Sequence, residues 1–454
     1  MLENKNYDVI VIGGGIAGYE SARALARGGK SVALIEKDIL GGTALRWGAL
    51  PIKKILDAFK NIKKYDHYQV IENTENIILK LDFLLNWNKS LNELDNKIKT
   101  GLLDLDVDIY FGDGKFIDSN TFKVGDELLK AKYFIIATGT EPSSIEDIPI
   151  DYKMIITHKK VIDLSEIPKS IIVLGGNVEG IEIAAIYAEM GVDVTIIEKE
   201  NNILIGNDRD LIGPIEENLK SKNVNIIRGI GAKAGKIYGD KVMITLEDGK
   251  EILAEKAVVT FIRKPNFPRG IENTKIKFDN NRIIVNDNLE TDEKNIFAIG
   301  DINGILGMAH VAIQQGLQVA DYIIKDKPIE LSYEILSRAV FTLPEMAGVG
   351  KQEWELKQDR TPYKVGKVDL ANTWRGWSKD ITDGFVKVLL DENNIFLGIW
   401  MVGENVSEYI GLMGMLIKEN KTADDILSNL IIHPSLTEAI SEAISQVKDK
   451  EVIR

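Results

Sequence analysis

Two glycine turns, each followed at a fixed distance by an acid, carry the clearest chemistry in this chain. Gly13-Gly14-Gly15-Ile16-Ala17-Gly18 is followed by Glu36, 23 positions after Gly13. Gly175-Gly176-Asn177-Val178-Glu179-Gly180 is followed by Glu198, 23 positions after Gly175. A glycine turn opening a helix offers backbone amides and the positive end of a helix dipole to a diphosphate. A carboxylate at the end of the next strand accepts the hydroxyls of a ribose. In each copy the first glycine (Gly13, Gly175) makes the tight turn and the last (Gly18, Gly180) lets helix and strand pack closely. Gly15 lets the backbone approach a pyrophosphate, and Asn177 stands at that place in the second copy.

The elements needed to place these groups are legible around them. Tyr7 to Ile12 and Ser170 to Leu174 are short apolar runs, read as buried parallel strands. Helical stretches follow the glycines, then strands from Ser31 and from Val192, ending at Glu36 and Glu198. The equal spacing argues for two copies of one nucleotide-binding unit. Each copy has a later strand ending in a turn, at Tyr133 to Pro142, which holds Gly139, and at Ala257 to Asn266. Residues 55–105 carry a helical period and read as an excursion from the first unit. Residues 291–317 read as a strand, a Gly300-Asp301 turn, a glycine-rich loop and a helix. Residues 336–454 alternate as strands, such as Gly384 to Leu390 and Asn394 to Val402, before helices from Ser407, which predicts a mixed α+β domain.

Composition excludes several kinds of chemistry. The chain has 454 residues and no cysteine, so disulfides, thiolate metal sites and cysteine nucleophiles are ruled out. Four histidines without HxxxH or HExxH spacing predict no metal site. A net charge of −13 speaks against nucleic acid as a partner. No uncharged apolar run is long enough to span a membrane, and no signal segment precedes the first strand, so a cytoplasmic protein is expected.

Gly41 to Lys53 reads GGTALRWGALPIK. This resembles GGTCxxxGCxPxK, the redox-disulfide signature of the pyridine nucleotide–disulfide oxidoreductases, class I, the group of dihydrolipoamide dehydrogenase and glutathione reductase. Ala44 and Ala49 stand at both cysteine positions. The resemblance runs nearly end to end. It implies an α/β fold with two Rossmann-like domains and a C-terminal α+β dimerisation domain. Residues 1–145 and 280–335 would bind FAD, 146–272 NAD(P), and 336–454 would form a homodimer interface.

By the same resemblance Glu36 holds the adenosine ribose, and Thr43 with the Gly13–Gly18 turn holds the pyrophosphate. Asp301 takes the ribityl chain, and amides around Ala309 and His310 approach the flavin pyrimidine edge. A turn cap is the plainer role for Asp301. Lys53 looks like the lysine beside flavin N5, and Glu182 like its paired carboxylate. His433-Pro434-Ser435-Leu436-Thr437-Glu438 resembles the HPTxxE segment, in which the histidine is an acid–base oriented by the glutamate and reaches the flavin of the other subunit.

The departures matter as much as the matches. Without the cysteine pair, disulfide reduction by the family's route is excluded. A Cys→Ala pair made by engineering would look the same at positions 44 and 49, but departures elsewhere speak for natural divergence. Arg46 and Trp47 could line a new pocket, or Trp47 packs and Arg46 faces solvent. Asn177, Glu179 and Ile262 depart from the family's NAD site, where Ile262 replaces a glycine. If NAD(H) binds, Glu198 favours it over NADP(H) by repelling a 2′-phosphate. The expected function is electron transfer from NADH through FAD to a non-disulfide acceptor, either a small molecule or a protein. The alternatives are a non-catalytic FAD-binding subunit or scaffold, and a flavoprotein reduced by a protein partner.

Overall fold

A computed structural model describes residues 4–67, 73–163, 167–447 and 452–453. The side chains of residues 62–85 lie outside that description. The chain divides into two compact units. The first comprises residues 1–152, 156–166 and 261–331. The second comprises residues 153–155, 167–260 and 332–454.

The first unit is built on a sheet whose parallel strands are Asp108–Phe111, Val32–Glu36, Asn4–Ile12 and Glu127–Ile136, in that order. Ile296–Ala298 adds a further parallel strand beside the C-terminal half of Glu127–Ile136. Thr121–Val124 and Lys115–Asp118 pair antiparallel beyond its N-terminal half. Val9 to Ile12 and Val32 to Ile35 are all but inaccessible, because helices cover one face and the antiparallel strands pack on the other. The expected helical excursion forms as Leu50–His67 and Asn73–Leu103, with residues 68–72 outside the description.

The second unit repeats the plan on a smaller scale. Its parallel strands run Asn225–Arg228, Asp193–Glu198, Ser170–Leu174 and Lys256–Val259. Ala232–Tyr238, Lys241–Leu246 and Glu251–Ala254 form a small antiparallel sheet. The C-terminal part is a five-stranded antiparallel sheet in the order Arg338–Val340, Glu345–Gly350, Phe396–Gly403, Phe385–Leu390, Lys364–Asp369. Helices Ser407–Lys418 and Glu438–Ser445 pack on it over a core of Val386, Val388, Ile399, Ala443 and Ile444. No helix among the described residues is long and apolar enough to cross a membrane.

Candidate cofactor sites

Both glycine turns form, and their hydrogen bonds correspond. Gly13 and Gly175 adopt φ of +105° and +114°, a region closed to residues with a side chain. Their N–H groups donate to Ile35 O at 2.8 Å and Ile197 O at 2.9 Å. A Cβ on Gly18 would run into Gly13 O, and one on Gly180 into Gly175 O, which is why both helices sit so close to their strands.

The two acids are held alike. Glu36 Oε2 accepts from Gly14 N at 2.7 Å and Oε1 from Asp38 N at 2.8 Å. Glu198 Oε2 accepts from Gly176 N at 2.6 Å and Oε1 from Glu200 N at 2.8 Å. Each carboxylate oxygen keeps acceptor capacity beyond its one amide, as two ribose hydroxyls require.

The first copy fits FAD on three observations. Helix Ile16–Arg27 has no side-chain cap and no acid in its first turn, so its first amides face outward. A Cβ at Gly15 would meet nothing within 4 Å. A cavity of about 140 Å³ opens beside Gly13 and Glu36, and Thr138, whose buried Oγ1 has no hydrogen-bond partner, lines it. Such an orphan is what a ligand hydroxyl or ring nitrogen satisfies.

A polar relay that sequence reasoning missed ties the other expected FAD residues together. Arg263 Nε donates to Thr140 Oγ1 at 2.8 Å, and Thr140 Oγ1 donates to Asp301 Oδ2 at 3.1 Å. Arg263 Nη2 also reaches Thr140 O at 3.1 Å and Thr43 Oγ1 at 3.4 Å. One guanidinium thus links the Thr43 loop, the turn after Gly139 and Asp301. The Gly300–Asn303 turn is fixed from below by buried Gln315, which accepts from Gly300 N at 2.7 Å and Asn303 Nδ2 at 2.9 Å. Asp301 is therefore an acceptor held by Thr140 as well as a turn residue. Helix Ala309–Lys325 starts without a side-chain cap, leaving the amide end expected near the flavin. In the sequence the pattern AVVTFIRKPN was the available signal for Arg263.

The stretch that carries the alanines winds as a π turn over Thr43–Trp47, closed by Gly48 N donating to Thr43 O at 2.6 Å. Arg46 does not face solvent. Its side chain is 13% exposed, with Nε 2.9 Å from Asp95 Oδ1 on the Asn73–Leu103 helix. The guanidinium lies 5.2 Å from the centre of the Trp47 ring. Burial raises the Asp95 pKa, with Arg46 pulling it the other way. Arg46 thus anchors the loop to a helix, with Trp47 against its guanidinium. Lys53 follows on Leu50–His67 in the first unit.

Glu182 lies in the second unit, buried, its Oε1 accepting from Phe341 N at 3.0 Å. His433 and Glu438 do meet, with Nδ1 and Oε1 2.8 Å apart. Glu438 Oε2 accepts from Ser435 N at 2.7 Å. That backbone bond first, and His433 second, hold the Glu438 carboxyl below its ordinary range. An ionised carboxylate only accepts, so Nδ1 is the His433 nitrogen suited to donate to it. His433 is 61% exposed, near Leu430 and Ile432, which are 99% and 78% exposed.

The second copy departs from the first most plainly at Asn177, which stands where the first has Gly15. Asn177 has φ −76° and ψ −179°, the extended conformation that Gly15 adopts at −66° and 179°. The tolerance of asparagine for left-handed backbone is therefore not used. Its side chain caps the helix instead: Oδ1 accepts from Gly180 N at 2.9 Å, and Nδ2 donates to Thr260 O at 2.8 Å. The ribose end of this site fits NAD(H), while the phosphate end is partly filled by the protein's own side chain. No group of three or more His, Asp or Glu among the described residues could hold a metal.

The description "Pyridine nucleotide-disulphide oxidoreductase" fits residues 7–316, and that family's dimerisation domain fits residues 336–444. The chain is 31% identical to a dihydrolipoyl dehydrogenase of Bacillus subtilis (strain 168), over 98% of this chain and 99% of that one. It is 32% identical to the dihydrolipoyl dehydrogenase of Geobacillus stearothermophilus, over 96% and 95%. Among solved structures, the HOCl-induced flavoprotein disulfide reductase RclA of Escherichia coli, as its Cu(II) complex, matches with TM-score 0.88 at 23% identity, over 98% and 100% of the two chains. LpdA of Mycobacterium tuberculosis matches with TM-score 0.87 at 24% identity, over 97% and 99%. These two share the fold. The family works with FAD and NAD(H). With two dinucleotide folds, a C-terminal dimerisation domain and no cysteine, the chain belongs to the pyridine nucleotide-disulphide oxidoreductase family and lacks its redox-active pair.

Proposed function

We propose that the chain is an FAD-dependent oxidoreductase of the dihydrolipoyl dehydrogenase type that passes electrons from NADH through FAD to an acceptor other than a disulfide. The observation that carries this reading is the relay of Arg263, Thr140, Asp301 and Thr43, assembled beside a loop with alanine at 44 and 49. FAD, when bound, supplies the centre that takes an electron pair from a nicotinamide and gives it up again.

The residues of the chain do the rest. Glu36 orients the adenosine ribose, and the Gly13–Gly18 turn with Thr43 holds the diphosphate. Asp301, kept in place by Thr140, accepts from the ribityl hydroxyls, and the amides at Ala309 and His310 face the pyrimidine edge. Lys53 and Glu182 would be the lysine and the carboxylate that the family brings to the flavin. The domains are residues 1–145 with 280–335 for FAD, 146–272 for NAD(H) and 336–454 for a homodimer interface. Its exposed Leu412, Met415, Leu430 and Ile432 are the apolar surface a second copy would cover. In that dimer His433 faces the partner's flavin, and the protein is cytoplasmic.

The purified chain should take up FAD, turn yellow and be bleached by NADH without oxygen. Glu36→Ala should weaken FAD uptake by about 1–3 kcal/mol, since two backbone amides and the ribose lose a buried acceptor. Protein that stays colourless in excess FAD overturns the proposal, and FAD-loaded protein that NADH leaves yellow removes NADH as donor.

His433→Ala should slow turnover of a quinone-like acceptor, which needs protons, by about 10²-fold or more. It should spare a one-electron dye. Steady-state rates with the two acceptors compare these, and equal loss of both removes the acid–base role of His433.

A further inference from the structure

The two glycine turns are an internal comparison within one chain. Their acid contacts match and the backbone at Gly15 and Asn177 is the same, so the effect of the substitution at that position can be read directly. At Gly15 the Cβ direction is open, and helix Ile16–Arg27 begins uncapped. At Asn177 the backbone is the same, so its Cβ leaves along the path that is open in the first copy. From there the side chain turns back over the first helical turn and takes one of its amides. Its other end is moored to Thr260 O, at the end of the neighbouring strand. Glu179, in that first turn, adds a negative charge where a diphosphate would approach. None of this touches Glu198, whose contacts match those of Glu36 within 0.1 Å.

We infer that Asn177 closes the diphosphate half of the second dinucleotide site while Glu198 keeps its ribose half open, so the site grips the nucleoside part of a ligand and gains little from a diphosphate. The inference rests on the reading of this turn as the NAD(H) site. It makes Asn177 the residue that sets ligand preference there. A dinucleotide can enter only with its diphosphate held off the helix end, or by breaking the cap and the Thr260 bond. An adenosine, which presents the same ribose diol without phosphates, meets no such obstacle.

Calorimetric titration of the FAD-loaded protein, its flavin reduced beforehand without oxygen, with NADH and with adenosine tests this. The native chain should bind the two within about threefold of each other, whereas a diphosphate seated on a helix end separates them by about tenfold or more. Asn177→Gly keeps the fold, since glycine is nearly as well tolerated as asparagine at a helix start. It should tighten NADH about tenfold and leave adenosine unchanged. Asn177→Asp, which retains the cap and adds charge, should weaken NADH and spare adenosine. Glu198→Ala should abolish both ligands and so locate them here.

If Asn177→Gly leaves NADH unchanged or weakens it while adenosine binds, the inference fails and the NAD(H) reading stands. NADH bound by the native chain far more tightly than adenosine has the same meaning. If neither ligand binds the native chain or Asn177→Gly, the NAD(H) reading fails and takes the inference with it.

Discussion

Given dihydrolipoamide and NAD⁺, the FAD-loaded protein is expected to show no turnover at any pH. In the relatives that GGTALRWGALPIK resembles, two cysteines stand where this chain has Ala44 and Ala49. Dithiol oxidation by that route needs a thiolate to attack a disulfide sulfur and a second thiol to complete the exchange. A methyl group offers no sulfur for the substrate thiolate to attack and no disulfide to accept its electron pair, so the loss is complete rather than partial. No cysteine elsewhere in the chain can substitute. Two readouts separate this from mere misfolding. The protein should still take up FAD, because Glu36, Thr140, Arg263 and Asp301 make their contacts without help from residues 44 and 49. On addition of two electrons it should show no long-wavelength thiolate-to-flavin charge-transfer absorption. Measurable dihydrolipoamide oxidation would overturn this account of the loop.

What the sequence made legible is what depends on short-range geometry. Gly13 and Gly175 need positive φ, and Gly18 and Gly180 need the absence of a Cβ, so the two turns could be read with their helices, strands and terminal acids. The pairing of His433 with Glu438 is a contact over five positions and was equally readable. The Arg263–Thr140–Asp301 relay was not, because its members are 123 and 161 positions apart and meet only when strands from distant segments pair. The direction of a long side chain also escapes sequence. Arg46 could have faced solvent or a pocket, and it is Asp95, on a helix that starts 27 positions later, that decides the matter. Asn177 is the instructive intermediate case. Its departure from glycine was visible, but its backbone is extended, which suits any residue, so the backbone does not explain the choice. Its capping preference is the property the structure uses.

Replacing Lys387 by methionine is expected to destabilise the second unit by about 3–5 kcal/mol, the usual cost of stripping one partner from a buried ionic group. Lys387 lies in the strand Phe385–Leu390, the sequence FVKVLL, where every residue is buried, and it is 1% exposed. Its Nζ is 2.9 Å from Asp208 Oδ2, 2.8 Å from Asp210 Oδ1 and 3.2 Å from Glu353 Oε1. Asp208 also accepts from Glu353 N and Trp354 N, Lys367 reaches Asp210, and Tyr363 donates to Glu353. The cluster thereby fastens the helix Arg209–Ser221, on the nucleotide-binding side, to the C-terminal sheet. Methionine fills the lysine's volume, so the deficit measures charge and not a cavity. Burial is the largest influence on Lys387 and lowers its pKa, but the two aspartates together outweigh it and raise the value above 10.5. For Asp210 burial again acts first, upward, and Lys387 and Lys367 outweigh it to hold the value below 3.8. A raised lysine stabilises fully below 10.5, and that contribution is lost as pH climbs through the folded value. A depressed aspartate stabilises above 3.8, and its contribution is lost as pH falls through the folded value. The native cluster is therefore strongest between these limits. Without Lys387 the burial of Asp210 is opposed by Lys367 alone, so Asp210 takes up a proton more readily. The gap between native and Lys387→Met urea midpoints should be widest near neutral pH and should narrow as pH falls toward 3.8. Equal midpoints at neutral pH would mean that the three carboxylates are neutralised in some other way, and that Lys387 is not what binds the two parts of this unit together.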